Sequence, residues 1–358
     1  MSERFVKLTT YFGERDRVGR RLLADELLDI YAEQRARASI LLRATEGFGR
    51  LHHLHTDRLL SLSEDLPVVS IALQRHTEFE ALLQRVLAVK RRGLITLERV
   101  GVLSSDDDVE PPEHRREEAQ KLTLLMGRRE RVGDQPAFVA VCDVLHRLGL
   151  DGASVLLGVD GLRGAQRMRA RFFSRNADVP LMIECVGAYG RISTALAELR
   201  RMLRDPVILR ERALVCKRDG RLLARPPALA DDERRAGLSQ KLTVYSSHDA
   251  RRSGRPLHLE IVRRLRASDA AGVTSLTGVW GFHGARPPHG DRVFQVHRHV
   301  PVATVTIDSP ERIARSFQII DELTDQHGLV TSEIVPAMRA LNGAESSDVM
   351  RLDEQADA

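Results

Sequence analysis

Apolar and polar residues first alternate along the chain and then recur at helical spacing. Over residues 5–12 the pattern is that of a β-strand. Leu23, Leu27, Ile30 and Tyr31 then fall on one face of a helix, because the last three follow the first by four, seven and eight positions. The pattern predicts a strand followed by an amphipathic helix.

The residues that follow predict two strands, a second helix and a last strand. The strands cover residues 39–44, 67–73 and 94–102, and Pro67 opens the second of them. The second helical stripe consists of Phe79, Leu82, Leu83, Val86 and Leu87. Gly93 is predicted to end that helix. The order β-α-β-β-α-β predicts a ferredoxin-like unit of the α+β class.

This unit occurs three times. Lys7-Leu8-Thr9 recurs as Lys121-Leu122-Thr123 and as Lys241-Leu242-Thr243, and a proline follows each lysine 59 or 60 residues later. A glycine element precedes each proline, and its three versions are Gly47-Phe48-Gly49, Gly161-Leu162-Arg163-Gly164 and Gly281-Phe282-His283-Gly284. A period near 120 residues is too long for a solenoid, so each copy is predicted to be a small domain.

The repeats place the domain boundaries. Copy one is predicted over residues 1–104, copy two over 118–217 and copy three over 238–342, with a disordered tail at 343–358. The linkers between the copies are rich in proline and charge, and are predicted to be exposed and mobile.

The strands also predict how the copies associate. Leu41, Val69 and Ile71 leave few polar positions on either side of the sheet, as in sheets that are buried on both faces. The helices cover one face, so the other face requires a neighbour. We therefore expect the three copies to pack sheet-inward as an intramolecular pseudo-trimer, in a chain that is monomeric.

Composition adds a few limits. The net charge is +5 and 42% of residues are hydrophobic, which is ordinary for a globular protein. Cys142, Cys185 and Cys216 have no metal-ligand spacing and are predicted to be buried, reduced thiols. No apolar run is long enough to cross a membrane. These features predict a cytoplasmic protein that is not embedded in a membrane.

Two loops contain candidate chemistry. Histidines cluster in the loop of copy one, at His52, His53 and His55, and could bind a metal or contact a partner. Arginines crowd the loop of copy two, where extended spacing would aim several guanidiniums at phosphate or carboxylate groups. Few aromatic residues accompany them, which argues against nucleic acid. The chain contains no nucleophile elbow, Walker loop or zinc motif, so we do not expect an enzyme.

Copy one resembles a known family at this point. The run Arg43-Ala44-Thr45-Glu46-Gly47-Phe48-Gly49, a histidine-containing loop and Leu62-Ser63-Glu64-Asp65-Leu66-Pro67-Val68-Val69 are similar to the PII-like family called domain of unknown function 190. Copies two and three keep parts of the pattern. The resemblance implies a PII-type fold, normally a homotrimer. PII proteins bind adenine nucleotides in clefts between subunits and contact a target protein through a long loop.

The resemblance and the residues together yield candidate sites. The candidate effector-binding residues are Gly47, Phe48, Gly49, Arg75, Arg163, Gly164, Arg167, Gly187, Gly190, Arg191, Gly281 and Gly284. The candidate partner-loop residues are His52, His53, His55, Arg169, Arg171, His289 and His297. The implied effector is a nucleotide of the ATP, ADP or AMP type, and the implied target is a protein such as a membrane transporter or channel.

The copies differ at these positions. Of the segments between the third strand and the second helix, only residues 186–191 of copy two combine several glycines with a cation, as a phosphate-binding loop requires. The sequence therefore predicts that an anionic effector binds most strongly at a site lined by copy two. Two alternatives remain open: an interaction scaffold without an effector, and a metal-binding role like that of the related CutA-type trimers.

The helical stripe of copy one can be tested by one substitution. Leu27→Asp should unfold copy one, because it buries an unpaired charge and costs several kcal/mol. A thermal melt that matches the wild type would show that the stripe has been assigned to the wrong face.

Overall fold

The computed structural model describes residues 4–49, 53–56, 65–90, 92–102, 119–164, 166–169, 178–228, 238–284, 286–290, 300–335, 337–342 and 345–346. Each third of the chain folds into a four-stranded antiparallel sheet with two helices, which confirms the ferredoxin-like α+β prediction. The described residues form six helices, which are Leu23–Glu33, Phe79–Val89, Ala137–Arg147, Tyr189–Met202, Leu257–Ala267 and Pro310–Leu323.

Twelve strands form the three sheets. In copy one they are Arg4–Gly13, Ala38–Arg43, Pro67–Arg75 and Arg92–Val102. In copy two they are Ala119–Gly127, Gly152–Leu157, Pro180–Ala188 and Val207–Arg212, and in copy three Ser239–Ser247, Val273–Thr277, Pro301–Asp308 and Leu329–Val335. The spatial order in each sheet is second, third, first, fourth. The first strand therefore lies in the centre of each sheet, between the third and the fourth.

The helices cover one face of each sheet. Leu27 and Tyr31 are fully buried in the helix-covered core of copy one, together with Val86 of the second helix. Copies two and three have equivalent cores of their own. The helical stripes expected from the sequence therefore face the sheets. Cys142, Cys185 and Cys216 are free thiols and buried, as predicted.

The opposite faces of the sheets meet one another. One hydrophobic cluster joins Leu42 and Val69 of copy one, Met182 and Leu209 of copy two, and Leu276 of copy three. The three sheets thus bury their second faces against each other, as the apolar strands predicted. The chain forms an intramolecular pseudo-trimer.

Short arm strands cross from each copy to a neighbour. The arms are Glu46–Phe48, Asp160–Arg163 and Trp280–His283. The arm of copy one pairs with the second strand of copy three, that of copy two with copy one, and that of copy three with copy two. Phe48, Leu162 and Phe282 enter the helix-covered cores of the copies that receive them. Each core is therefore completed by a residue from a neighbour.

The glycine and proline of each repeat make this crossing possible. A Cβ on Gly47, Gly161 or Gly281 would overlap a backbone carbonyl of the neighbouring copy. The proline that opens the third strand lies 3.0 Å from the same position in all three copies. Only glycine allows the two backbones to approach so closely. The repeated glycine and proline, the most regular motif of the sequence, thus lie at the seam, which is the contact between neighbouring copies.

A second set of strand pairings between copies involves the end of the fourth strand or the residues that follow it. Gly101 and Val102 pair with the fourth strand of copy two. Leu214–Arg218 pairs with the fourth strand of copy three, and Ala337–Asn342 pairs with that of copy one. The exchange returns to copy one, so the three copies form a closed ring of contacts.

The chain stays ordered at the end of copy two, because Lys217 is buried in a strand and its ammonium binds Asp321 at 2.5 Å. One expectation from the sequence is wrong here. Gly93 does not end the second helix, which stops at Val89; its φ of 94° lets the fourth strand begin next to the Tyr11 carbonyl. Residues 103–118 lie outside the described residues, as does the predicted tail except for residues 345–346, which form a short strand.

A ring of six charges lies at the centre of the molecule. Lys7, Lys121 and Lys241 are the lysines of the repeated motif, and each binds the glutamate of its own fourth strand and that of the next copy. Within a copy, the Lys–Glu distances are 3.0 Å to Glu98, 3.5 Å to Glu211 and 2.8 Å to Glu333. Between copies, Lys7 binds Glu211, Lys121 lies 2.5 Å from Glu333, and Lys241 lies 2.8 Å from Glu98. All six side chains are buried.

Attraction within the ring favours the charged forms of Lys121 and Glu211. Burial alone would lower the pKa of the Lys121 ammonium, but Glu211 and Glu333 raise it above its ordinary value. Burial would raise the pKa of the Glu211 carboxyl, but Lys121 and Lys7 hold it well below its ordinary value. Three ammoniums and three carboxylates then sum to zero charge.

Removing one member of the ring should be costly. Lys121→Met leaves two buried carboxylates without one of their cations, and breaking a buried pair in this way costs about 3–5 kcal/mol. Chemical denaturation should show this loss. The control is Arg85→Ala, which breaks the exposed pair with Glu33 and should cost less than about 1 kcal/mol. Equal losses in the two variants would contradict a central role for the ring.

Candidate functional site

A cleft of about 710 Å³ opens where copy three meets the hairpin that leaves copy two. Its size falls within the usual range for small-molecule sites. The arm of copy three forms one wall, through Gly281, Phe282, His283 and Gly284. The remaining lining residues are Asp219, Ser246, Ser247, Asp249, Ala250, Arg251, Arg286, Pro287, His289, Pro301, Gln326, His327 and Gly328.

The cleft contains cationic groups at its rim. The Arg251 and Arg286 side chains are exposed, and neither has a carboxylate partner among the described residues. Guanidiniums without such partners are suited to phosphate or carboxylate groups of a ligand. The arrangement therefore favours an anionic ligand.

A hydrogen bond joins the two walls of the cleft. The His283 Nε2 and Asp219 Oδ1 atoms lie 2.7 Å apart. The hydrogen bond with His283 holds the pKa of Asp219 below its ordinary value. Asp219 belongs to the hairpin after copy two, whereas His283 ends the arm of copy three. This contact fixes the position of the hairpin against the arm.

Ser246 lies at the deep end of the cleft. It is 4% exposed, and its hydroxyl has no hydrogen-bond partner among the described residues. A buried hydroxyl without a partner carries a cost in free energy that a bound ligand or water can remove. The floor of the cleft therefore offers a polar contact.

The region around Ser246 is called here the corner of copy three, and each copy has an equivalent corner. In copy one this corner is filled by side chains. Phe12 takes the place of Ser246, since each follows its motif lysine by five positions. The Lys90 Nζ lies 5.3 Å from the centre of the Phe12 ring and binds the carbonyls of Tyr11 and Arg92 at 2.8 and 2.7 Å. Two large side chains thus occupy the space that small residues leave open in copy three.

The equivalent corner of copy two is also occupied. Met126 stands in the place of Ser246. The Arg163 guanidinium binds the Glu130 carboxylate there, and also donates to the Asp205 carbonyl at 2.8 Å. The three corners are therefore different, and copy three has the smallest side chain at the position five residues after the motif lysine.

The predicted effector residues do not share one location. Gly281 and Gly284 line the cleft of copy three, together with His289. Gly47 and Phe48 lie in the seam between copies one and three, where Phe48 is buried. The remaining predictions for copy one fall on exposed positions, at Gly49 and Arg75.

The arginines of copy two are engaged by acidic groups. Arg167 binds Asp160 at 2.8 Å, Asp25 at 3.1 Å and Asp29 at 3.3 Å. Arg169 also reaches Asp25 and Asp160, at 3.2 and 3.3 Å. These carboxylates offset the positive charge that the sequence suggested for an effector, and the arginines instead hold the arm of copy two against a helix of copy one.

The other candidate residues of copy two have structural roles in turns, strands and helices. Gly164 has a φ of 56° and forms the turn after the arm. Gly187 lies in the third strand, where a Cβ would overlap Leu150. Gly190 lies in the first turn of a helix, and Arg191 donates to the Gly149 carbonyl. The phosphate-binding loop expected here is thus part strand and part helix.

Only part of the predicted partner loops is described. His52, Arg171 and His297 lie outside the described residues. His55 pairs with Gly47 beside the arm of copy one. Among the described residues, one group of potential metal ligands has its oxygens within 4.8 Å of one another, and it consists of Glu98, Glu211 and Glu333 of the charged ring. The three ammoniums between those carboxylates repel a metal ion.

Sequence reasoning missed Arg251, Arg286 and Ser246. A signal for the first existed, because an arginine follows the motif lysine by ten positions in every copy. Ser246 gave no signal, since a small residue becomes notable only beside the large ones at the equivalent positions of the other copies.

Among the described residues, no helix has the length and apolarity needed to cross a membrane.

The fold and the repeated seam define a single-chain pseudo-trimer of PII-like units. The family model of domain of unknown function 190, described as an uncharacterized ACR, matches residues 5–102, 119–215 and 239–337. These three matches cover most of the chain. The chain therefore belongs to that family, in three tandem copies.

Relatives and solved structures are more distant. A UPF0166 protein of Aquifex aeolicus (strain VF5) is 26% identical over 95 residues, which is 26% of this chain and 88% of the relative. Aspartate kinase from Synechocystis matches with a TM-score of 0.24 and 9% identity, over 94% of this chain and 52% of the kinase. An unknown protein from Galdieria sulphuraria matches with a TM-score of 0.19 and 13% identity, over 59% of this chain and 99% of that one.

The filled corner of copy one has a pH dependence of its own. Burial lowers the pKa of Lys90 to about 7. Between about pH 7 and pH 10.5 the unfolded chain then binds the proton that the folded chain does not, so stability should rise with pH across that window. Lys90→Met should remove up to about 1.4 kcal/mol per pH unit of this slope, as measured by denaturation at several pH values. An unchanged slope would show that Lys90 stays charged when folded.

Proposed function

We propose that this protein is a non-catalytic, PII-like regulatory protein that binds a small anionic effector in the cleft between copies two and three. The observation that carries this proposal is the open cleft with two guanidiniums, Arg251 and Arg286, that have no carboxylate partner among the described residues. Membership of the family makes an adenine nucleotide the first effector to test. A binding role fits the absence of a catalytic motif in the sequence.

The filled corners support a single strong site. In copy one, Phe12 and Lys90 occupy the equivalent space, and in copy two Arg163 is held by Glu130. An effector would have to displace packed side chains there, whereas in copy three it enters existing space. The copy-two site favoured by the sequence is thus less suitable than the copy-three cleft.

The cleft is also well placed for signalling. Its wall includes the arm that leads into the loop of copy three, from Gly284 to His289. A ligand held between Arg251 and that arm would bias the position of the loop. We propose that the loops then contact a target protein, such as a membrane transporter or channel, on the cytoplasmic side.

Titration calorimetry with ATP, ADP, AMP and pyrophosphate tests this function. We expect close to one site per chain, and a loss of affinity of roughly tenfold or more in Arg251→Ala and in Arg286→Ala, since a charge-assisted hydrogen bond contributes about 1.5–3 kcal/mol. Ser246→Phe, which copies the residue of copy one, should block the site.

Arg264→Ala is the matched control, because it removes the same charge at an exposed pair with Glu322. It should leave the affinity unchanged. Three equal sites per chain would contradict the argument from the filled corners. No heat with any of the four ligands, in a protein that melts normally, would favour an interaction scaffold instead.

A further inference from the structure

An internal cavity of about 50 Å³ lies next to the charged ring. Equivalent positions of the three copies line it, at Ile71, Glu184 and Val305. Each of these residues is the strand partner of the threonine in the repeated Lys-Leu-Thr motif. Two copies fill this position with an apolar side chain, so the fold does not require a carboxyl group there.

Glu184 is a fourth acid beside a ring that is already balanced. The three lysines are each bound to two glutamates of the ring, whereas the Glu184 carboxyl accepts a hydrogen bond from the Tyr245 hydroxyl at 3.4 Å. An ionised Glu184 would therefore add one uncompensated negative charge to the centre of the protein. Glu184 is half-buried, and a charge without compensation in such a site is costly, so a proton removes a cost in free energy.

Glu184 borders a second space and is partly accessible to solvent. A narrow space of about 10 Å³ is lined by Glu184, Tyr245, Ser246 and Phe282. Ser246 and Phe282 also line the large cleft. Glu184 thus stands between the open cleft and the ring, which is where a proton from solvent would arrive.

We propose that Glu184 is a proton-binding site at the centre of the molecule, and that the three copies pack more stably when it holds the proton than when it loses it. This role is independent of the effector proposed for the cleft. It assigns a function to a carboxyl group that the other two copies replace by isoleucine and valine.

The surrounding charges set the direction of the effect. Burial raises the pKa of Glu184; Lys121, Lys241 and Lys7 act in the opposite direction, and Glu333 reinforces the rise. Tyr11, Tyr245 and Cys185 are further titratable groups that interact with Glu184. With the folded pKa above the unfolded one, the stabilisation is complete below the unfolded pKa and is lost as pH rises through the folded pKa.

Thermal melts of the wild type and of Glu184→Gln at a series of pH values test the proposal. Glutamine keeps the shape of the protonated acid and cannot ionise. We expect the melting temperature of the variant to rise relative to that of the wild type as pH increases, by at least roughly 2 °C across the series. A difference that does not change with pH would overturn the proposal.

Infrared spectroscopy of the wild type gives a second, direct readout. A protonated carboxylic acid has its own carbonyl band, which should persist above the pH where surface glutamates ionise and should be missing in Glu184→Gln. The control Glu33→Gln changes an exposed glutamate of copy one and should keep the band. If Glu184→Gln does not fold, Glu184→Val copies the residue of copy three and takes its place. A wild-type spectrum without the band would refute the proposal.

Discussion

The burial of six charges is the constraint on which the rest of the structure depends. A lysine in the middle of a central strand has no access to water once the sheets meet, and an isolated buried ammonium is very unfavourable. Each lysine here finds one carboxylate in its own copy and another in the next. No copy can satisfy the pattern alone, so the ring sets both the number of copies and their rotation about the central axis.

The strands that pair with neighbouring copies support the same arrangement of the three copies from outside the ring. The arms deliver Phe48, Leu162 and Phe282 into neighbouring cores, and the strands that follow each fourth strand close the circle. Buried pairs alone are weak evidence of stability, since desolvation offsets much of their attraction. The hydrophobic contacts between copies therefore supply most of the stabilisation, while the ring disfavours any other placement of the copies relative to one another.

The sequence predicted the elements and the copies well, because both follow from local periodicity and from landmarks at constant spacing. It identified Lys7, Lys121 and Lys241 as markers without indicating that they are buried, since their partners lie about 90 residues away in the same copy and 143 to 212 residues away in another. It also assigned Arg167 to an effector, because a linear sequence does not show that Asp25 and Asp29 of another copy approach it. The cleft could not be predicted for a related reason. It arises because the equivalent corners of the three copies differ, and the residues of any one corner are unremarkable when considered alone.

Fusion of the copies explains why such differences are possible. In a homotrimer one substitution appears at all three positions, so an open corner with Ser246 would also remove the Phe12 packing, and a half-buried Glu184 would bring three extra acids to the axis. A single chain separates these choices. Phe12 and Lys90 fill one corner, Arg163 and Glu130 tie another, and the third can remain open for a ligand. Copies one and two then need not keep a space open, which fits the usual division between a functional site and its scaffold.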